Sequence, residues 1–424
     1  MSPILCSARM MYELMTKNAT NPVGVVGAGT MGAGIAQVAA KSGWNVRLYD
    51  IERSLVDQAS QRITKRFERL VEKDRITAED AVACNERITT TTSVEDLADC
   101  DFVIEAVVED FGIKTSVLKT LGEVSTSSVI ATNTSSLSIT ELGAASECPD
   151  RIVGMHFFNP APVMPLVEVV RGELSSDTAV QRAVLIAEAW GKSVVQASDT
   201  PGFIVNRIAR PYYLESWRIV EDCLATVDAV DEALQSLGEF KMGPFMLTDM
   251  IGQDINVATT RSIWERLGKP NRLEPSKKQE SIVEKGHFGR KSGCGAYAHD
   301  DQRNAVPAVL VDVQELEISD RLENAINAFC LEATCTAGSM LEKYIFSRVL
   351  AGIINEAMWA VTENVATVQD IDTAMKLGTN YPMGPFEWSD KISSEKVQDL
   401  LVALNETVAD NRFASPPSDT VSAK

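Results

Sequence analysis

Between residues 22 and 198, short apolar runs alternate with longer stretches whose apolar positions recur every three or four residues. The runs at 22–27, 45–50, 101–108, 128–132, 152–158, 164–170 and 193–197 predict strands, and the stretches between them predict amphipathic helices. Such alternation predicts an α/β domain, a mostly parallel, doubly wound sheet with helices on both faces. After Thr200-Pro201-Gly202 the texture changes. From 203 to 300 the patterns are nearly all helical, broken at Met242-Gly-Pro-Phe245 and ending in Gly289-Arg-Lys-Ser-Gly293-Cys-Gly295. The expected organisation is a flexible extension (1–20), an α/β domain (21–200), a helical domain (201–300), a linker of mixed polarity (301–340), a second helical module (341–412) and a disordered tail (413–424).

The two helical stretches are copies. Laying 204–251 on 345–392 at a constant offset of 141 puts Arg207 on Arg348, Glu215 on Glu356 and Asp231 on Asp372. The same offset puts Ala225-Thr-Val227 on Ala366-Thr-Val368, Met242-Gly-Pro-Phe245 on Met383-Gly-Pro-Phe386, and Asp249 on Asp390. Four consecutive identities at the offset shared by the others are not chance, so two all-α modules of one design are expected after the sheet.

Charge narrows the partners. A formal charge of −19 over 424 residues gives a field that repels nucleic acid and anionic membrane, so neither is expected as a partner. No apolar run approaches the roughly 20 residues a spanning helix needs. Residues 1–20 lack the basic start and apolar core of a secretory signal, carry only Arg9 and Lys17 as cations, and include Met10, Met11 and Met15 as alternative starts. The eight cysteines are scattered with no CxxC pair, and three histidines are too few for a multi-histidine metal site. Reduced thiols, a cytoplasmic location and no metal are therefore expected.

The first strand runs into Gly27-Ala-Gly29-Thr30-Met31-Gly32 and then a helix. Gly27 suits a tight turn, Gly29 a backbone that a pyrophosphate approaches, and Gly32 close packing of helix on strand. Asp50, 18 residues past Gly32 at the end of the second strand, is placed to accept from a ribose 2′-hydroxyl. The loop reads as a dinucleotide site of Rossmann type, NAD-selective because of Asp50, with Arg53 nearby able to favour a 2′-phosphate.

Four further elements carry candidate chemistry: Asn133-Thr-Ser135-Ser-Leu137, His156-Phe-Phe-Asn159-Pro160, Glu168 within Leu166-Val-Glu-Val-Val170, and Pro201-Gly-Phe-Ile-Val-Asn206-Arg207. Serines after a strand are often caps, and a histidine at a strand end is often a satisfied surface residue. Glu168 is harder to dismiss, because a carboxylate in an apolar strand is costly to bury without a partner. His156, twelve residues upstream, is an economical one, and a carboxylate-oriented imidazole suits a general base. Separately, Arg62, Lys65, Arg66, Arg69 and Lys73 share one third of a helix circumference, beside an apolar face of Val56, Ala59, Ile63, Phe67 and Leu70. The stripe is either a solvated face or a phosphate site, and a pure cationic stripe in so acidic a chain favours the second.

Together these motifs resemble the L-3-hydroxyacyl-CoA dehydrogenase family over about 21–300, and the repeat extends the likeness to about 392. The resemblance implies NAD-dependent oxidation of the 3-hydroxyl of an (S)-3-hydroxyacyl-CoA. It assigns His156 as base, Glu168 as its counter-charge, and Ser135 and Asn206 as ligands of the substrate oxygen. It places Asn159 by the nicotinamide, Glu109 and Lys114 near the cofactor, Lys291 over it from the helical domain, and Lys73 on CoA; Arg66 and Arg69 join Lys73 by the stripe argument. A dehydrogenase of a small non-CoA hydroxy or sugar acid is one alternative, and a non-catalytic dinucleotide-binding protein another. The acyl chain stays open between short, long and dicarboxylic, with the duplicated form most like bacterial short-chain or phenylacetate-pathway members. Single-module members of the family pair through their helical domains. Here the copy lies in the same chain, with Ser347 at the place of Asn206. The second module is therefore expected to be structural, giving a monomer with an internal pseudo-dimer, or a homodimer.

Overall fold

β1 (Val23–Val26) is an interior strand, hydrogen-bonded on both sides, and the chain builds outward from it in a computed structural model that describes residues 21–302 and 304–417. The 1–20 extension and the end of the tail, 418–424, lie outside the described residues. The chain divides into two units at Thr200/Pro201.

In the first unit β1 is followed by α1 (Thr30–Lys41), β2 (Val46–Tyr49), α2 (Arg53–Glu72), α3 (Ala78–Glu86), β3 (Ile88–Thr91), β4 (Phe102–Glu105), α4 (Phe111–Val124), β5 (Val129–Thr132), α5 (Ile139–Ala145), β6 (Ile152–Phe157), β7 (Leu166–Arg171), α6 (Asp177–Ala189) and β8 (Ser193–Ser198). The strands form one sheet in the order β3-β2-β1-β4-β5-β6-β7-β8. Every neighbouring pair is parallel except β6–β7, which runs antiparallel with His156 opposite Glu168. β1 and β4 are buried at every position, which is why they read as unbroken apolar runs. α2 buries Val56, Ala59, Ile63 and Phe67 and turns its charged face outward. Phe67 is fully buried, so Phe67→Ala would cost about 3–5 kcal/mol. The strand β3 has no counterpart in the sequence reading: Ile88-Thr-Thr-Thr91 is a half-buried edge with one aliphatic residue.

The second unit contains α7 (Val205–Ile208), α8 (Arg210–Glu221), α9 (Val227–Gly238), α10 (Pro244–Ile251), α11 (Gln253–Arg266), α12 (Lys277–Glu284), the strands β9 (Tyr297–His299) and β10 (Ala305–Pro307), α13 (Asp320–Glu332), α14 (Met340–Thr362), α15 (Val368–Thr379), α16 (Pro385–Ile392) and α17 (Ser394–Asn405). Segment 301–340, expected as a linker, holds β10 and the three-turn helix α13, which packs on α14 and α17. Leu322, Ile326, Phe329 and Cys330 are buried at i, i+4, i+7 and i+8 behind a Ser319 cap, a helical signal that the reading of 301–340 as a linker passed over.

The repeat is exact at the level of elements: α9 and α10 shifted by 141 are α15 and α16. Asp231 accepts from the N–H groups of Phe245 and Met246 at 2.9 and 3.0 Å, and Asp372 from those of Phe386 and Glu387 at 2.8 and 3.2 Å. A Cβ at Gly243 or Gly384 would lie 2.2 or 2.3 Å from that aspartate's Cγ, which accounts for the glycine of each Met-Gly-Pro-Phe turn. The proline starts the helix, where no N–H is needed.

The copies face each other across a local pseudo-twofold axis. Arg207 Nε meets Glu356 at 2.6 Å and its Nη1 meets Glu363 at 2.7 Å, while Arg348 Nε meets Glu215 at 2.9 Å and its Nη1 meets Asp222 at 3.3 Å. Each residue of one trio is the 141-shifted counterpart of one in the other. Gly352, the counterpart of Pro211, is where the paired helices α8 and α14 pass closest, since a Cβ there would lie 3.2 Å from the Pro211 Cβ. Pro211 also explains why the first copy is split into α7 and α8 where the second runs on as α14.

Candidate active site

The glycine loop has the shape its spacing predicts. Gly27 sits at φ 99°, where a side chain would strike the Ala106 carbonyl at 2.7 Å, and a Cβ on Gly32 would lie 1.7 Å from the Gly27 carbonyl. Gly29 has nothing within 4 Å of its Cβ position, so the loop is open there. No side chain caps the first turn of α1 and no acid lies in it, which leaves the positive end of the helix to a ligand. Asp50 is fixed at the rim by the Ala28 N–H (2.7 Å) and the Glu52 N–H (3.2 Å). Arg62 reaches the Ala28 carbonyl at 2.8 Å, and its buried Nε has no hydrogen-bond partner. An open glycine, an uncapped helix start, an acid at the strand end and a cation beside the loop fit a dinucleotide diphosphate and its adenine ribose.

The β6–β7 register brings the candidate acid–base pair together. His156 Nδ1 lies 2.6 Å from Glu168 Oε2, with the glutamate fully buried and the imidazole 7% exposed. With a carboxylate as acceptor the ring proton sits on Nδ1, and Nε2 is the nitrogen left to accept one. Phe158 packs on the imidazole at 4.5 Å between ring centroids. Asn133 ties the turn after β5 to this strand by accepting the Phe157 N–H at 2.9 Å. Asn159 begins the turn that follows.

Ser135 lies in a turn organised by Glu109. One Glu109 oxygen accepts from the Thr134 hydroxyl (2.7 Å), the Ser135 N–H (2.8 Å) and hydroxyl (3.3 Å), and the Ser136 N–H (3.1 Å) and hydroxyl (3.0 Å). Burial opposes the charge of Glu109, but Lys114 and these donors outweigh it and hold the carboxyl below its ordinary range. Lys114 is 1% exposed, with its ammonium 2.8 Å from Glu105 and 3.4 Å from Glu109. It sits beneath the site as the support of Glu109. Glu105, which also accepts from Thr132 at 2.6 Å, was not a sequence candidate, although an acid at the end of the apolar run Phe102-Val-Ile is the same kind of signal as Glu168.

The cationic stripe divides. Arg62 turns to the glycine loop, Lys65 is exposed, and Arg66, Arg69 and Lys73 line a cavity of about 750 Å³. Its other walls include Lys41, Pro162 and Trp190, and no lining residue is acidic. Burial, with Arg62 and Arg69 beside it, pushes the Arg66 guanidinium below its ordinary value, the mark of cations gathered without a counter-ion.

Asn206 and Lys291 belong to the second unit. Asn206 lies half-buried in α7, and its carbonyl accepts from Arg210 Nε at 2.7 Å. Lys291 pairs with Asp254 at 2.6 Å. Its turn is wrapped on buried Asp249, which accepts from the N–H groups of Ala296 and Tyr297 (both 2.9 Å) and lies 2.8 Å from His299 Nε2. Asp390, the counterpart of Asp249, is exposed, and Ser347 at the place of Asn206 is fully buried.

A Rossmann-type loop beside a carboxylate-oriented histidine defines a dinucleotide-dependent dehydrogenase. Residues 22–200 match the family described as 3-hydroxyacyl-CoA dehydrogenase, NAD binding domain, and residues 202–299 and 344–423 match its C-terminal domain. The chain belongs to the 3-hydroxyacyl-CoA dehydrogenase family and is an NAD-dependent oxidoreductase acting on a 3-hydroxyacyl-CoA. It is 36% identical to the 3-hydroxyadipyl-CoA dehydrogenase of Escherichia coli K12, over 92% of this chain and 95% of that one. A crystal structure of 3-hydroxybutyryl-CoA dehydrogenase from Escherichia coli K12 superposes with a TM-score of 0.84 at 35% identity, covering 94% of this chain and 97% of that one. The 3-hydroxybutyryl-CoA dehydrogenase of Mycobacterium tuberculosis (strain ATCC 25618 / H37Rv) is 39% identical, and its match covers 99% of that protein but 66% of this chain.

Proposed function

We propose that this dehydrogenase oxidises short-chain (S)-3-hydroxyacyl-CoA, with His156 taking the 3-hydroxyl proton on Nε2 and Glu168 balancing the imidazolium that results. The buried 2.6 Å contact between the two carries this reading, since it fixes the imidazole's tautomer and its orientation together. NAD, when bound, accepts the hydride from C3. The glycine loop and Asp50 hold its adenosine end, Arg62 adds a positive charge beside the diphosphate, and Asn159 steadies the nicotinamide end. Ser135, set by Glu109, donates to the substrate oxygen and stabilises the charge that develops there. The assignments of Asn206 to that oxygen and of Lys291 to the cofactor rest on their family motifs. Arg66, Arg69 and Lys73 bind the CoA phosphates in the cationic cavity.

The E. coli sequence and the E. coli crystal structure that match nearly the whole chain carry names for a six-carbon dicarboxylic and a four-carbon acyl group, so both substrates are proposed. A cytoplasmic location accords with the described residues, among which no helix is long and apolar enough to cross a membrane. The reciprocal arginine–acid trios support a monomer whose second module occupies the place of a partner's.

The test is His156→Gln and Glu168→Gln, assayed with acetoacetyl-CoA and 3-oxoadipyl-CoA in the reductive direction. His156→Gln should lower kcat by about 10²–10⁴ and leave NADH affinity unchanged, and Glu168→Gln should lower kcat in the same direction. Near wild-type kcat in either variant would defeat the assignment.

A further inference from the structure

The strands that carry His156 and Glu168 are joined by residues 158–165, a turn with prolines at 160, 162 and 165 and therefore few N–H groups of its own. Its only internal backbone bonds among the described residues run from Val163 and Met164 to the Pro160 carbonyl, at 2.9 and 3.0 Å. The turn also packs on α1, where Gly34 lies against Ala161 and Pro162, and further hydrogen bonds to it come from the start of β8. Ser193 donates its N–H to the Pro165 carbonyl at 2.9 Å, and Lys192 Nζ donates to the carbonyls of Ala161 (2.6 Å) and Met164 (2.8 Å). One ammonium thus grips the turn at both sides of its bend.

Lys192 also lines the cationic cavity, as do Pro160, Pro162, Val163 and Pro165 of the turn. The charged groups facing it there are Lys41 from α1, Arg66 and Arg69 from α2, and Lys73 at the end of α2. Glu188, one turn earlier on α6, is exposed and does not line the cavity. The ammonium has two carbonyl dipoles and no counter-ion. Burial, reinforced by Lys41, pulls it from 10.5 down to about 8.

We infer that Lys192 is a positioning residue linking the substrate cavity to the catalytic pair: its ammonium holds the turn between His156 and Glu168, and the negative charge of a ligand in the cavity holds the ammonium. This rests on reading the cavity as the CoA site. An anion beside an ammonium favours the charged form, so a CoA ligand binds the protonated state in preference. Affinity is then full at pH 7 and falls as the pH rises through about 8, where the empty site loses its charge. In the bound complex the proton is retained further up, so kcat keeps its value over a range in which KM is already rising.

The experiment uses the full chain as wild type, Lys192→Arg and Lys192→Met, with NADH saturating. Coenzyme A binding is measured by calorimetry at pH 7 and 9, and kcat and KM with acetoacetyl-CoA at both. For the wild type, CoA should bind about 3–10-fold more weakly at pH 9, the effect of one partly screened charge contact. Lys192→Arg, permanently charged, should bind CoA equally at both pH values and keep most of kcat. Lys192→Met should bind at pH 7 as the wild type does at pH 9, and lose about tenfold in kcat, with NADH affinity within about twofold as the sign of an intact fold. The inference is overturned if Lys192→Met keeps wild-type kcat, or if Lys192→Arg shows the wild-type loss of affinity at pH 9. Absence of CoA binding to the wild type overturns the cavity reading itself, and the inference with it.

Discussion

Glu215 offers a quantitative test of the pseudo-twofold interface. Burial opposes its charge, but Arg218, Arg348 and Arg412 together hold its carboxyl down at about 2, against an ordinary 4.5. A carboxylate whose value drops on folding stabilises the native state above the unfolded value and loses that contribution as the pH falls through the folded one. The gap between 4.5 and about 2, at about 1.4 kcal/mol per pH unit, is worth about 3 kcal/mol at pH 7, and linkage leaves about 1.4 kcal/mol of it at pH 3. Glu215→Gln removes this term and strands Arg348, whose buried Nη2 already lacks a hydrogen-bond partner, so the full cost should reach about 3–5 kcal/mol. The assay is equilibrium urea unfolding of wild type and variant at pH 7 and pH 3, followed by tryptophan fluorescence, to which Trp217, two residues from Glu215 on α8, is one of six contributors. The gap between the two proteins should be largest at pH 7 and shrink by about 2 kcal/mol at pH 3. A gap below about 1 kcal/mol at pH 7, or one that does not change with pH, refutes the reasoning.

Three other outcomes follow from the site. Catalytic efficiency should be at least about tenfold higher with NADH than with NADPH, because Asp50, proposed as the acceptor for the ribose 2′-hydroxyl, would repel a phosphate there; equal use of both would contradict it. Reversing Arg66 and Arg69 together should raise KM for acetoacetyl-CoA and flatten its salt dependence, leaving the NADH dissociation constant in place; an unchanged KM at low salt returns the stripe to a solvated face. Ending the chain near residue 300 should uncover the α8 face and give aggregation or a dimer, while a conservative change at Ser347 leaves kcat unaltered. A truncated protein that stays monomeric and fully active would remove the role assigned to the second module.

Much of the sheet and of the site could be read from the sequence because each reports a local constraint. The glycine spacing is imposed by contacts of 1.7 and 2.7 Å that no other residue tolerates, so the loop announces itself. Glu168 stood out because strand alternation leaves a buried acid no solvent. The repeat was visible through identical residues, yet the second acid of each trio was not, since Asp222 is answered by Glu363 and the pair differs in type. What stayed hidden is non-local: the Lys192 clamp acts on carbonyls 28 and 31 residues away, and Asp249 holds a turn nearly 50 residues further on. The sequence records side chains, and a backbone carbonyl seeking a donor leaves no mark in it. β3 was missed because a half-buried edge with one aliphatic residue carries little periodic signal, whereas α13 has helical spacing at Leu322, Ile326, Phe329 and Cys330 and was legible.

The paired trios have a consequence for how the protein behaves on dilution. Two copies joined by one chain meet at an effective concentration set by the connecting segment, on the order of millimolar for a flexible tether, whatever the concentration of protein around them. A symmetric pair of separate chains would come apart as it is diluted, and its apparent stability would depend on how much of it is present. On the proposed reading this chain carries its own partner, and that dependence is gone. Fusion also releases the copies from having to remain identical. One retains Asn206 and the buried Asp249 that organises the Lys291 turn. The other has let those places become a buried serine and an exposed aspartate, and has kept the arginine, the acids and the Met-Gly-Pro-Phe turn on which the mutual fit depends.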